Sequence, residues 1–127
     1  MSHTVSLQHE LSTEFLSDVL IAAFDGGYGG SNYWLKSFDH LRKSEDGEQW
    51  LEVVVTPEDY DDPDAPRSIT HGDLARGIQT ILDTRRTDWF IFEYVNAAVT
   101  EDDAGHIDAE AADVIVQYAT FSEIVYG

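Results

Sequence analysis

The sequence predicts an α+β fold, with about four helices packed on a small antiparallel sheet in a single compact domain spanning residues 1–127. Three observations predict it. Apolar residues recur at helical spacing in several segments, and one segment, 49–56, instead alternates with a period of two. No repeat, linker or composition break divides the chain, whose length suits one domain.

In chain order, 3–7 (His-Thr-Val-Ser-Leu) has the composition of a short edge strand, and 7–11 is too short to assign. Ser12 or Thr13 can cap a helix over 13–24, where apolar residues recur at helical spacing from Leu11 just before it through Phe15 and Val19, and at Leu16, Leu20 and Phe24, while Asp18 points outward. Gly26 or Gly27 falls where a left-handed C-cap is needed. Residues 32–38 are aromatic and β-prone, and Asp46-Gly47 signals a turn before the strand 49–56. In that strand Leu51, Val53 and Val55 face one way, Glu52 and Thr56 the other, so a hairpin is expected, joined by a further short strand.

A loop over 57–67 carries three prolines and five acids. Thr70 and Asp73 have capping-box spacing and open a helix over 71–85, with Leu74, Ile78, Ile81 and Leu82 inward and Arg76, Gln79, Thr80 and Asp83 outward. Residues 89–95 (WFIFEYV) read as a strand on propensity. The run continues through Asn96-Ala97-Ala98 without a turn signal, and that length favours a helix over about 87–100. Asp108 caps a last helix that buries Ala111, Val114, Ile115, Tyr118 and Phe121 and exposes Asp113 and Gln117. His71, in the first turn of its helix, reads as a surface residue.

Charge narrows the partners. There are 25 Asp and Glu against 7 Lys and Arg, a formal charge of −18. Such a surface repels nucleic acid and anionic membranes, which demand cations, and favours a basic partner, metal ions or high salt. With no cysteine, disulfides, thiolate nucleophiles and cysteine zinc sites are excluded. The start, Met1-Ser2-His3-Thr4, lacks the basic and apolar regions of a signal peptide, and the apolar run 19–24 is far too short for a bilayer. The expectation is a soluble protein of the cytoplasm.

Residues 22–34 (AAFDGGYGGSNYW) hold four glycines within five positions. A phosphate-cradling loop places glycines between a strand and a helix N-terminus. Here they follow a helix and precede a strand, no Lys-Ser or Lys-Thr follows, and Asp25 would repel phosphate. Two readings remain. In one, the glycines cap the helix and reverse the chain so that Tyr33 and Trp34 reach the core. In the other, Asp25, Gly26, Gly27, Tyr28, Asn32 and Trp34, with Asp113, line a ligand-binding rim.

A helix ending Ala23-Phe24-Asp25-Gly26-Gly27, then Ser31-Asn32-Tyr33-Trp34, an acid-rich helix start over 108–114 and the ending 121–127 (FSEIVYG) together resemble a family of small acidic proteins encoded by bacteriophages, many infecting actinobacteria. The likeness covers both ends and the helix from Leu74, about half the chain. Tyr28-Gly29-Gly30 stands as an insertion within the family motif, and the acidic 57–66 loop is particular to this chain. The resemblance implies the cytoplasm of an infected bacterium as setting and supplies no mechanism.

Other chemistry is thin. His3, His9, His40, His71 and His106 show no ligand spacing, so no metal or other cofactor is expected. Asp59, Asp61, Asp62 and Asp64 imitate the opening of an EF-hand loop, but Asp64 and Thr70 stand where its glycine and glutamate belong, which favours a solvated acidic loop. Asp113, Gln117 and Glu123 facing Asp25 across a cleft would suit acid–base work, yet no nucleophile motif accompanies them.

The leading expectation is a non-catalytic accessory protein that binds a basic host or defence protein through its acidic face, one version being nucleic-acid mimicry. Residues 39–64, with ten acids including Glu58, Asp59, Asp61, Asp62 and Asp64, would present that face together with Glu101, Asp102 and Asp103. The alternatives are a small-ligand binder or enzyme at the glycine turn with Asn32 and Trp34, and an acidity that serves only adaptation to salt.

Overall fold

The computed structural model describes residues 2–5, 9–25, 29–58, 66–85 and 87–126. The fold is α+β, as expected: a two-stranded hairpin, a three-stranded antiparallel sheet and four helices around one core. Strands β1 (Ser2–Val5) and β2 (His9–Ser12) pair antiparallel from Ser2 with Ser12 to Val5 with His9. The second of these escapes the sequence because four residues are too few to register a period.

Helix α1 (Thr13–Phe24) starts where Ser12 accepts a hydrogen bond from Phe15 N at 3.1 Å, and it buries Phe15, Leu16, Val19, Leu20, Ala23 and Phe24. Its C-cap, Asp25, is extended (φ −70°, ψ 116°), and the glycine cap expected at Gly26 or Gly27 lies outside the described residues. The left-handed caps seen here are instead Arg85, Asp102 and Ser122, ending the other three helices.

A 3-10 turn (Asn32–Trp34) leads into β3 (Leu35–Lys43), which pairs with β4 (Trp50–Pro57), itself paired with β5 (Arg67–Thr70). Strand β3 runs five residues beyond the expected Phe38 and is mostly exposed. It is an edge strand interrupted by three register shifts and carries Lys36, Arg42 and Lys43, devices that discourage edge-to-edge pairing. The expected turn at 44–47 is present, with Gly47 at φ +77°.

Helix α2 (His71–Thr84) opens on the expected capping box: Asp73 N donates to Thr70 Oγ1 at 3.2 Å, and Thr70 N donates to Asp73 Oδ2 at 2.9 Å. Thr70→Ala removes the first of these bonds and is expected to cost about 1 kcal/mol in urea unfolding. A loss below about 0.3 kcal/mol would mean that water replaces the cap. His71 is a correction: it is buried, with Nε2 2.8 Å from Trp50 O, because the start of β4 closes over the first turn of α2.

Residues 89–101 are helical, as length rather than propensity indicated (α3, Trp89–Glu101), and α4 (Ala109–Phe121) starts at Asp108, whose Oδ1 accepts from Ala111 N at 2.7 Å. Helix α4 is the centre of the molecule, packed chiefly on α2 and also on α1, α3 and β5. Every residue from Ala111 to Ala119 is buried.

Candidate functional site

The burial of α4 on nearly all sides overturns the expected exposure of Asp113 and Gln117. The apolar stripe faces α1 and α2, but the opposite side is covered by the 3-10 turn and by residues 122–126, leaving Asp113 7% and Gln117 1% exposed. Asp113 therefore needs partners. Its Oδ1 accepts from Ser31 Oγ at 2.9 Å and Trp34 Nε1 at 2.8 Å, and its Oδ2 accepts from Tyr33 OH at 2.7 Å and Gln117 Nε2 at 3.1 Å. A carboxylate offers about four lone-pair sites, and all are used.

Gln117 continues the network into the C-terminal residues. Its Oε1 accepts from Val125 N and Tyr126 N, both at 2.8 Å, and Nε2 also donates to Tyr126 O at 2.9 Å. The Tyr126 ring stacks on Trp34 with centroids 5.3 Å apart and planes within 5°. Phe24 and Phe121 meet the same indole edge-on. The Ser-Asn-Tyr-Trp and Ile-Val-Tyr motifs thus converge on one i, i+4 pair of α4.

Burial, and then the neighbouring Asp113 carboxylate, push the Tyr33 phenol far above its ordinary range. It remains a neutral hydrogen-bond donor at any ordinary pH, and the side chain is otherwise half exposed. That arrangement suits holding and orienting. Acid–base work by Asp113 would require a free lone pair, and there is none.

The described part of the glycine stretch works by close approach. A Cβ on Gly30 would lie 1.9 Å from Ala109 O, and one on Gly29 would lie 2.5 Å from Ala23 O. Gly30 N donates to Ala22 O at 3.0 Å and Ser31 N to Ala23 O at 2.8 Å, which returns the chain along the end of α1. The order of elements along the chain puts no helix start next to the glycines, but the fold does, since the first turn of α4 sits against Gly30.

Two depressions border the turn that carries Trp34. The larger, a groove of about 910 Å³, lies between the starts of α3 and α4 and the C-terminal residues. Ile91, Val114 and Ile124 form aliphatic wall, Asp113, Gln117 and Tyr33 contribute the polar lining, and Asp88 and Glu110 stand exposed. The smaller, about 560 Å³ and more open, is lined by Asp25, Asn32, Phe24, Phe38 and Trp50 among others.

The single rim expected from the sequence is therefore divided. Asp25 and Asn32 fall on one side and Asp113 on the other, while Trp34, 1% exposed, is core between them. Gly26, Gly27 and Tyr28 lie outside the described residues. Asp25 and Asp113 do not share a cleft, so a catalytic pair of these carboxylates is not formed. Ser31, Tyr33, Gln117 and Tyr126 were missed as a network, although a row of donors beside glycines and an Asp–Gln pair on an apolar helix were visible signs. Asp88, Ile91, Glu110 and Ile124 had no local sign at all.

Of the expected acidic face, Glu58 is exposed, and Asp59, Asp61, Asp62 and Asp64 lie outside the described residues. Three further acids there are engaged locally. Thr56 and Ser37 hydroxyls on Asp39, the Ser44 hydroxyl and Glu48 amide on Asp46, and the Ser68 hydroxyl with Arg42 on Glu52 hold each carboxyl below its usual range. From 87 to 127 the chain has nine Asp and Glu and no Lys or Arg, and eight of the nine acids are exposed, although Glu101, Asp102, Asp103 and Asp108 also take local partners.

Among the described residues, no group of three His, Asp or Glu is placed to hold a metal ion, and no helix is long and apolar enough to cross a membrane. Comparison with protein-family models, with curated proteins and with solved structures finds no match.

Proposed function

We propose that this chain is a non-catalytic binding protein, of the phage accessory kind its motifs resemble, which engages a basic host or defence protein through its acidic helical side. The observation that carries this reading is the distribution of charge over α3, the 3-10 turn Ala104–His106 and α4, where eight exposed carboxylates face solvent in a segment without one Lys or Arg. Seven cations in the whole chain can neutralise at most seven of the 25 acids, so 18 negative charges stay uncompensated whatever the pairing. Some cations are already spent elsewhere, with Arg42 on Glu52 at 3.4 Å and Arg76 on Asp73 at 3.1 Å. Such a field accelerates encounter with a basic surface and fades within about 8 Å at physiological ionic strength. Mimicry of nucleic acid is the special case in which the partner's basic groove is one that otherwise holds phosphates.

The saturated hydrogen bonding of Asp113 supports the non-catalytic half of the reading. The test is a tagged pull-down from actinobacterial lysate with the wild-type chain and a Glu93→Gln/Glu101→Gln/Glu123→Gln variant. Washes at about 0.05 M and about 1 M salt contrast weak with strong screening. The expected result is a basic protein, identified by mass spectrometry, that is held at low salt, shed at high salt and reduced with the variant. Equal capture by both chains at both salts would sink the reading. A chain that captures nothing but folds more stably in molar salt would point to adaptation to salt instead.

A further inference from the structure

We infer that the 910 Å³ groove between the starts of α3 and α4 is the anchor point of that interaction, taking one arginine side chain of the basic partner. This inference rests on the basic-partner reading and adds where, and by what chemistry, the partner is gripped. A groove of this volume is at the upper end of the range for pockets that enclose a ligand, about 300–1,000 Å³, and exceeds what one side chain fills. An arginine with part of its flanking backbone suits it.

The lining matches the two halves of that side chain. Ile91, Val114 and Ile124 offer aliphatic wall for the three-methylene stem, and Asp88 and Glu110 offer carboxylates to the guanidinium. Asp88 is free for this role. It stands at the cap position of α3, yet its side chain makes no cap hydrogen bond, whereas Ser12, Thr70 and Asp108 at the corresponding positions of the other helices all do. Trp89, next in the chain and 75% exposed, places an indole at the same end of α3. A planar, weakly hydrated guanidinium stacks on such rings and forks onto carboxylates, and an ammonium does neither as well.

Electrostatics decides the sign of the ligand. Two helix N-termini reach the groove, each equivalent to about half a positive charge, so together about +1. Against them stand the three carboxylates Asp88, Glu110 and Asp113, with no Lys or Arg among the described residues of the lining. The balance is negative and disfavours an anion. Asp113, its lone pairs already filled, contributes charge rather than a contact.

The test titrates the isotopically labelled full chain with acetyl-Leu-Arg-Leu-amide and with its citrulline analogue, which keeps the shape and removes the charge, following backbone amides by NMR. The arginine peptide is expected to shift Gly30, Thr87, Ala109, Glu110 and Ile124, and the citrulline peptide to leave them in place. In Asp88→Asn/Glu110→Gln, with both exposed positions changed isosterically so that the fold is kept, affinity is expected to drop roughly tenfold, in line with two partly exposed ion pairs. Trp89→Ala, at another exposed position, is expected to weaken binding a fewfold. If the arginine peptide shifts residues of the β3–β4 face and the double variant binds unchanged, the groove assignment is overturned while the basic-partner reading stands. Absence of binding by any arginine peptide overturns both. A lysine peptide that binds as tightly as the arginine one overturns the choice of guanidinium.

Discussion

Replacing Asp113 by alanine is expected to lower the unfolding free energy by roughly 2–5 kcal/mol, the cost of leaving its buried neutral donors without an acceptor. Trp34 Nε1 and Ser31 Oγ, both in buried residues, donate to Asp113 at 2.8 and 2.9 Å and would lose that acceptor. A buried donor left unpaired costs about 1–3 kcal/mol. Tyr33 and Gln117 also lose a bond, but Tyr33 is half exposed, so water can replace it, and Gln117 Nε2 keeps its bond to Tyr126 O. Against these losses stands the relief of no longer desolvating a carboxylate, which keeps the total below the plain sum of four bonds. Asp113→Asn retains the shape and one acceptor oxygen but turns an amide toward two donors, and is expected to fall between wild type and alanine. Urea unfolding followed by tryptophan fluorescence, to which Trp34, Trp50 and Trp89 all contribute, measures both variants. A cost under about 1 kcal/mol for alanine would mean that the donors find new partners easily and that the network does not hold the C-terminal residues to α4.

What could be read in advance follows from the range of the physics. Helices α1, α2 and α4 were legible because their apolar residues repeat every three to four positions, and Ser12, Thr70 and Asp108 announce their starts by side-chain chemistry contained within four residues. Helix α3 was decided by length, since its composition is that of a strand. Strand β2 and the second half of β3 were missed for opposite reasons. One is too short to show a period, and the other is an exposed, bulged edge whose polar residues do not alternate. The candidate site was half legible. Ser31, Asn32, Tyr33 and Trp34 were singled out as a motif, and Asp113 as a partner, but amphipathic reasoning placed Asp113 and Gln117 in solvent. That reasoning assumes a helix has one covered face, and α4 has nearly none uncovered. The groove itself joins residues up to 96 positions apart, from Gly30 through Asp88 and Glu110 to Tyr126, and no short window along the chain contains it.

Gly30→Ala is the second change expected to be severe, and it discriminates between the meanings a glycine can have. The methyl carbon would lie 1.9 Å from Ala109 O, 2.6 Å from Ala109 C and 3.1 Å from Ala109 Cα. All three are backbone atoms of a first helical turn, so no side-chain rotation relieves the overlap. Nor can that turn retreat cheaply, because Asp108 pins it through Ala111 N at 2.7 Å, and Ala111 and Ala112 are fully buried. The other side is equally tied, by the bonds from Gly30 N and Ser31 N to the last turn of α1. Overpacking of a core ordinarily costs about 1–3 kcal/mol, and a backbone overlap of this depth is expected at or above the top of that range. Gly47→Ala supplies the contrast. Gly47 has nothing within 4 Å of the added carbon but sits at φ +77°, so only the left-handed backbone penalises alanine there, by about 1–2 kcal/mol. A larger loss at Gly30 than at Gly47 in parallel melts is therefore the expected order. Because any outward shift of residue 30 also draws Ser31 and Tyr33 away from Asp113, the tryptophan environment should change in the folded state of Gly30→Ala and stay as it is in Gly47→Ala. The reverse order would mean that α4 slides along the 3-10 turn at little cost, and the groove that depends on their contact would then have no fixed shape to offer a partner.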